Sequence, residues 1–454
     1  MSSTERRLVF VQYAGDYREA FHRLAQQGTE TYYAQKYSVD AVSDLAAQMQ
    51  STTVLCCMTD APYDEMLANG VRAIGAGYSG GRIPYDQLIQ KVAALNPTHL
   101  VLRFPAPPLL RWAVRQNVDI LVTLADSFSG RGWRDRIKNY RLARLLNHAR
   151  VAWVGNHSMN ASMSLQSIGV NPNKIIPWDW PSVVEPSAFT PKQLSSQSSY
   201  QMLYVGSVIA AKGVGDVLEA VQHLRSRQVD ITLKVAGKGE IAEFKQRASE
   251  LGIADAVEFL GIVPQMQIVP LMRSADVVVI PSRHEYPEGL PMTIYESLCA
   301  RTPIVASDHP MFRDKLQDRV SAMVFPAANP VALAEATHAL LSDAALYHQL
   351  SVQSAATWQQ IQIPVKWGEL VQRWLANQPS DREWLAPYRL NGSFYTDRPT
   401  AQPIPAEVPA VWAPSVDAIA PEVELPSAWA PPIEAIAPAE PVSVVATGSE
   451  GEAR

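Results

Sequence analysis

Two glutamates, Glu288 and Glu296, stand with seven residues between them in the string His284-Glu-Tyr-Pro-Glu-Gly-Leu-Pro-Met-Thr-Ile-Tyr-Glu296, behind an apolar run that ends at Ile280. Pro291 sits where a helix can begin, because its missing N–H would be unused in a first turn. Leu290 before it is a poor side-chain cap, so the first-turn amides are left to water or to an anionic ligand, for which a diphosphate is the natural candidate. Gly289 permits a tight loop and close approach of the backbone to such a ligand. Glu296 shares its helix face with Met292 and Cys299 rather than with a polar stripe. A carboxylate on an apolar face needs donors, and the paired hydroxyls of a sugar supply two. The plainer alternatives are a solvated acid at a helix edge for Glu296 and a surface loop acid for Glu288.

A second constellation is Tyr204-Val-Gly206-Ser207 followed by Lys212-Gly213. A strand here delivers Gly206 into a loop, Ser207 offers a hydroxyl, and Lys212 brings positive charge toward phosphates ahead of a helix starting near Gly213. The Walker spacing Gly-x-x-x-x-Gly-Lys-Ser/Thr is absent from this stretch. Gly237-Lys-Gly239 adds another flexible turn behind a strand. Near the N-terminus, Gly15 and Asp16 follow the first apolar run, and Asp126 ends a later one. An ordinary strand-to-helix turn explains the first pair equally well, and a helix-capping acid explains Asp126. Residues 131–150 hold seven Lys/Arg and one Asp, a local charge of +6, interleaved with Trp133, Ile137, Tyr140 and Leu145. Such a helix suits an anionic membrane surface or an acidic acceptor, or is simply a charged outer helix packed by its apolar side.

The elements that must position these residues are short Val/Ile/Leu runs alternating with helical patterns, the signature of parallel sheets covered by helices. Strands are expected at 8–13, 54–58, 71–75, 100–104, 120–124 and 151–154, with helices at 85–94, 109–116 and 135–148. The polar, proline-containing stretch 181–200 interrupts the alternation and reads as a linker. Strands then resume at 202–205, 231–236, 257–260, 277–280, 304–306 and 322–325. The expected domains are thus 1–180 and 201–375, with an extension at 376–398. Two such α/β domains facing each other create a cleft at the carboxyl ends of their strands, where a ligand is expected.

The 454 residues suffice for two domains of ordinary size. Hydrophobic residues make up 47% and charged residues 18%, and the mean hydropathy is -0.07, a balance that fits globular domains rather than a transporter. No run reaches the roughly 18 apolar residues of a membrane span. Met1 to Arg7 is polar and lacks the apolar core of a secretory signal, so cytoplasmic residence, with peripheral membrane contact through 131–150, is the expectation. Three cysteines, two of them adjacent, give neither a disulfide framework nor metal-ligand spacing. Residues 399–454 carry 11 of the 34 prolines and eight acids against one base, a balance of -7 that leaves +2 for the rest. Disorder is expected there. A 17-residue repeat within it, Pro409-Ala-Val-Trp412-Ala-Pro and Pro426-Ser-Ala-Trp429-Ala-Pro, reads as a docking motif for a protein partner or as a spacer. The mildly basic body, without zinc spacing or a single-strand platform, argues against nucleic acid as a partner.

Together, the Tyr-Val-Gly segment, Lys212-Gly213, the Ala-Gly-Lys-Gly-Glu turn, Ala275-Asp276 with Pro281-Ser282, and Glu288-Gly-Leu-Pro with Glu296 resemble the retaining family-4 glycosyltransferases of the GT-B fold. The resemblance covers about residues 200–375 and is faint before them. It implies two Rossmann-like α/β domains facing across a cleft, with the nucleotide sugar, of UDP or GDP type, as a substrate and no separate cofactor. Gly206, Ser207, Lys212, Glu288, Gly289, Leu290, Pro291 and Glu296 would bind the donor, with Lys212 and Glu288 as the catalytic pair. Glu296 would hold the ribose hydroxyls, Glu288 the donor sugar, and Lys212 the charge growing on the departing diphosphate. The first domain, with Gly15, Asp16 and Asp126, would take a glycan or lipid-linked acceptor, no metal would be required, and the segment 367–375 would pack back across the linker. Two positions depart from the pattern: Ser207 where relatives carry arginine, and Ala125 where they often carry histidine. The competing function is therefore an altered or inactive scaffold recruiting partners through the tail. A dehydrogenase is disfavoured, because no Gly-x-Gly-x-x-Gly follows the first strand of either domain.

Overall fold

The computed structural model describes residues 5–79, 82–128, 132–194 and 199–396. The repeated tail segment and Arg131 of the basic stretch lie outside the described residues. The first sheet contains β1 (Arg7–Gln12), β2 (Ser51–Cys56), β3 (Tyr63–Met66), β4 (Val71–Gly75), β5 (His99–Leu102), β6 (Asp119–Leu124), β7 (Val151–His157) and β8 (Ile175–Trp178). Its order is β3-β4-β2-β1-β5-β6-β7-β8. Every pairing is parallel except that of β3 with β4. Side chains alternate across it: Val9 and Val11 enter one apolar layer, and Leu8 and Phe10 the other. Both faces being covered, the strands read as continuous apolar runs.

The second sheet contains β9 (Ser199–Val205), β10 (Asp230–Ala236), β11 (Val257–Gly261), β12 (Val277–Ile280), β13 (Ile304–Ser307) and β14 (Met323–Phe325), in the order β11-β10-β9-β12-β13-β14. All of its pairings are parallel. Both sheets reverse their winding at one place. β1 lies between β2 and β5, and β9 between β10 and β12, so loops part at the carboxyl ends of those strands and leave a crevice.

The differences from expectation have local causes. β1, β2 and β5 end one or two residues early, at Gln12, Cys56 and Leu102, where polar side chains or a loop take over. β3, Tyr-Asp-Glu-Met, is an antiparallel edge strand with alternating exposure and no apolar run, and β8, Ile-Ile-Pro-Trp at the other edge, is a short buried strand interrupted by Pro177. The helix Pro107–Arg115 starts two residues ahead of the expected one because a proline pair fills its first turn. β9 already begins at Ser199, inside the stretch read as linker.

The chain closes where it began. The helix Trp367–Ala376 places Trp367, Leu370, Val371, Trp374 and Leu375 among Leu8, Phe10 and Val101 of the first sheet. Trp367 is fully buried, its ring 6.1 Å from that of Phe10, and its Nε1 donates to Thr123 Oγ1 at 3.2 Å. Residues after it stay on the first lobe: Leu385 joins the same layer, and the Leu390 amide donates to Ile175 O at 2.9 Å.

Candidate active site

In the second lobe, β9 leads into Gly206, and the turn Ala210–Lys212 then passes beneath the loop that follows β12. The two segments touch so closely that only glycine fits. Gly213 has φ 76°, and a Cβ there would run into the Pro281 carbonyl. Arg283 fixes the same junction: its amide donates to Ala211 O (3.0 Å), and its guanidinium grips Asp216 through Nε (2.9 Å) and Nη2 (2.7 Å).

This junction brings Lys212 and Glu288 together. The Lys212 ammonium pairs with Glu288 Oε1, and the same oxygen accepts a hydrogen bond from Ser282 Oγ at 2.6 Å. Lys212 Nζ also lies 4.3 Å from the centre of the Tyr286 ring. Glu288 is 5% exposed, so its charge is held by these donors rather than by water. Gly206 follows β9, its amide donating to Ala236 O at 2.9 Å, and Ser207 beyond it is exposed, its carbonyl accepting from the Tyr204 hydroxyl at 2.6 Å.

After Glu288 the backbone turns toward the first lobe. A Cβ on Gly289 would stand 3.2 Å from His157 Nδ1 and 3.6 Å from Ala125 O, a tight fit against the first lobe. Leu290 is buried in the second lobe. Pro291 is itself the cap of the helix Met292–Cys299, one position earlier than its expected place in the first turn. It provides no side-chain cap, and of the first-turn amides that of Ile294 donates to the Pro291 carbonyl at 3.0 Å. Glu296, on the second turn, is 4% exposed and accepts from Gln265 Nε2. Burial pushes its pKa up to about 8, against the opposing pull of Gln265. The Gln265 amide reaches across to Glu30 O of the first lobe at 3.0 Å.

The first lobe offers a cavity of about 670 Å³ at its own winding reversal, lined by residues at or after the ends of β1, β5 and β6, among them Gln12, Arg103 and Asp126. Burial pushes the Asp126 carboxyl up to about 6. Gly15 is an exposed turn residue with φ 88°. Asp16 is engaged otherwise: its carboxylate caps the helix Tyr17–Gln27 by accepting from the Glu19 amide (3.0 Å), and it accepts from the Tyr63 hydroxyl (2.6 Å). At the edge where the lobes meet, His157 Nε2 is hydrogen-bonded to Asp179 Oδ1 at 3.0 Å, both side chains being buried.

The structure thus gathers Lys212, Glu288, Gly289 and Ala125 at one meeting of the lobes, with Glu296 and Gln265 at a second contact. Sequence reasoning passed over Gln265, His157 and Arg103, isolated polar residues with no motif around them. For Arg103 a signal existed: a cation closing the apolar run Leu100-Val-Leu-Arg103 marks a charge at a strand's carboxyl end. Among the described residues no three His, Cys, Asp or Glu side chains converge to hold a metal ion.

Two Rossmann-like sheets whose carboxyl ends meet across such a boundary define the GT-B architecture. Comparison with known proteins agrees: residues 187–356 match the model of the glycosyl transferases group 1 family, and the chain is a GT-B-fold relative of that family. It is 33% identical over 130 residues to phosphatidyl-myo-inositol mannosyltransferase of Mycobacterium leprae, covering 29% of this chain and 34% of the relative. It is 29% identical over 155 residues to alpha-D-kanosaminyltransferase of Streptomyces kanamyceticus, covering 34% of this chain and 39% of the relative. The chain therefore spans little more than a third of the curated relatives it matches. Among solved structures, Anabaena HepE in complex with UDP has the same fold, with a TM-score of 0.58 and 14% identity over 82% of this chain and all of its own.

Proposed function

We propose that this protein is a retaining glycosyltransferase that moves a sugar from a nucleotide-sugar donor to a glycan or lipid-linked saccharide acceptor. The observation that carries the reading is the Lys212–Glu288 pair, held by Ser282 at the crevice after β9 and β12, beside a glycine loop that points at the first lobe. Such an arrangement does chemistry by exchange of partners. A donor diphosphate takes up the ammonium of Lys212, which stabilises the charge that grows as the leaving group departs. The carboxylate of Glu288, released from that pairing, accepts from hydroxyls of the donor sugar.

Glu296 holds the ribose hydroxyls in this reading, and its burial explains why a ligand is needed there. One amide donor, Gln265, is too little to stabilise a buried carboxylate, and two hydroxyls would complete it. Gly206, Ser207 and the backbone of Gly289, Leu290 and Pro291 surround the diphosphate. The acceptor lies in the first lobe beside Asp126, which supplies a hydrogen-bonding carboxyl. Neither glutamate acts as a covalent nucleophile, and the chemistry assigned here needs no metal. Exclusion of water where the lobes meet protects the activated donor from hydrolysis.

Contact with a membrane surface belongs to the same reading. The helix Trp133–Leu146 turns Leu142, Ala143 and Leu146 inward and leaves Trp133, Ile137 and Tyr140 exposed. These three fall at i, i+4 and i+7 and make a stripe flanked by arginines and Lys138, as suits an anionic lipid interface. Among the described residues no helix is long and apolar enough to cross a membrane.

The test is a panel of UDP- and GDP-sugars read by thermal shift, followed by product analysis with candidate acceptors. A stabilising donor whose sugar appears in the product with its anomeric configuration kept supports the proposal. A protein that none of the donors stabilises, with no transfer, refutes it.

A further inference from the structure

The first-lobe cavity contains a cation that no acid answers. Arg103 directly follows β5, is half-buried, and lines the cavity of about 670 Å³ together with Arg82, Asp126, Tyr32 and Tyr85. Its Nη1 donates to Gln12 Oε1 (3.1 Å) and Ser38 Oγ (3.3 Å), both neutral. Its guanidinium carbon lies 4.8 Å from the ring centre of Trp367 and 5.9 Å from that of Trp180. Among the described residues no carboxylate forms an ion pair with Arg103 or Arg82, although arginines elsewhere at the ends of strands and helices find one. Ring faces and neutral acceptors offset only part of the cost of taking a guanidinium out of water, and desolvation draws its pKa below the ordinary range.

The rest of the lining fits a sugar. Tyr32 and Tyr85 supply aromatic surface for the apolar face of a ring, and Asp126 supplies an acceptor for hydroxyls without pairing with Arg103. The one function the cavity provides for and does not itself satisfy is the binding of an oxyanion.

We propose that this cavity takes an acceptor sugar bearing an oxyanion, a carboxylate or a phosphate, gripped by the N–H groups of Arg103 that Gln12 and Ser38 leave unused, with Arg82 at the rim drawing it in. The planar guanidinium matches either anion. That the ligand is an acceptor rests on the glycosyltransferase reading; that it is an anion rests on Arg103 and the cavity alone.

The test is titration calorimetry on the full chain, with and without saturating UDP or GDP, using methyl glucuronide, glucose 6-phosphate and uncharged methyl glucoside as probes. At least one anionic probe should bind about tenfold or more tightly than methyl glucoside, and the tighter of the two identifies carboxylate or phosphate as the source. Arg103→Gln should abolish the preference, and Arg82→Gln should reduce it less. Equal binding of charged and neutral probes, or a preference that survives in a folded Arg103→Gln protein, overturns the inference. Should that variant fail to fold, Arg103→Lys, which keeps the charge and loses the fork, should narrow the preference severalfold; an unchanged preference again overturns it. Nucleotide binding is scored separately. UDP or GDP bound with no gain for anionic sugars defeats the anion site and spares the transferase reading. Arg103-dependent anion binding in a protein that takes neither nucleotide does the reverse.

Discussion

At the end of β9 a lysine and a glutamate meet away from water, whereas at the ends of β5 and β6 an arginine and an aspartate line one cavity without pairing. Both places are reversals in the winding of a parallel sheet, so the backbone supplies the same kind of crevice twice. The charges differ in whether the protein completes them. In the second lobe the two charges neutralise each other, and in the proposed function a donor exchanges partners with Lys212 and Glu288. In the first lobe no carboxylate among the described residues pairs with Arg103, and the proposed ligand would bring the counter-charge.

The comparison is broken most severely through Trp367, whose ring supports Arg103 in one lobe while its chain arrives from the other. Trp367→Ala should cost about 3–5 kcal/mol in denaturant unfolding, through a large cavity in the first-lobe core. Removing one cation from each lobe sharpens the contrast. Lys212→Met strands Glu288 and should lower stability by about 3 kcal/mol, together with a loss in turnover of about a hundredfold or more. Pairing it with Glu288→Gln should restore most of the stability and none of the turnover, measured by melting and by steady-state transfer. Arg103→Met strands no acid, so its melting temperature should fall much less than that of Lys212→Met. Equal falls would mean that the two crevices are not differently completed.

A smaller effect is expected from Glu296. Its folded pKa, about 8, lies above the ordinary 4.5, so the folded state holds a proton that the unfolded chain has lost between those values. The stability of the neutral acid is fully present below 4.5 and is lost as pH rises to about 8. Glu296→Gln should flatten the melting temperature across that window. Because ribose hydroxyls donate to the carboxylate, nucleotide affinity should rise with pH toward 8 in the parent and stay level in the variant, about tenfold weaker at the upper end. The smallest change is expected on the exposed stripe. Trp133→Ser with Tyr140→Ser should leave melting unaltered and weaken sedimentation with anionic vesicles severalfold.

What was legible in the sequence follows from how locally each feature is determined. β12 and β13 of the second sheet are buried at every residue, and β12, Val-Val-Val-Ile, needs no neighbour to be recognised, whereas β10 alternates with polar residues and β11 is half-buried. β3 is a half-exposed edge where polar residues are tolerated, so its apolar signal disappears with the burial that produces it, whereas β8, Ile-Ile-Pro-Trp, is buried but only four residues long and interrupted by a proline. The same division holds at the site. Glu288 and Glu296 belong to one continuous segment whose spacing carries information. Gln265 acquires its role only when its helix comes beside Met292–Cys299, and Arg103 only when β5 is laid against β1. Asp16 shows the converse, a residue placed after a strand as a ligand-binding acid would be, yet used to cap a helix.

The return of Trp367–Ala376 to the first sheet gives the molecule an order of assembly. Leu8 and Phe10 leave the ribosome well before one of the helices that cover them, which is made only after the whole second sheet. The amino-terminal half must therefore wait with an open apolar face while its neighbour folds, a wait that long sequence separation makes slow and that invites misassociation. A nascent chain arrested before residue 367 should expose that face to chaperones, and one arrested well beyond residue 376 should not.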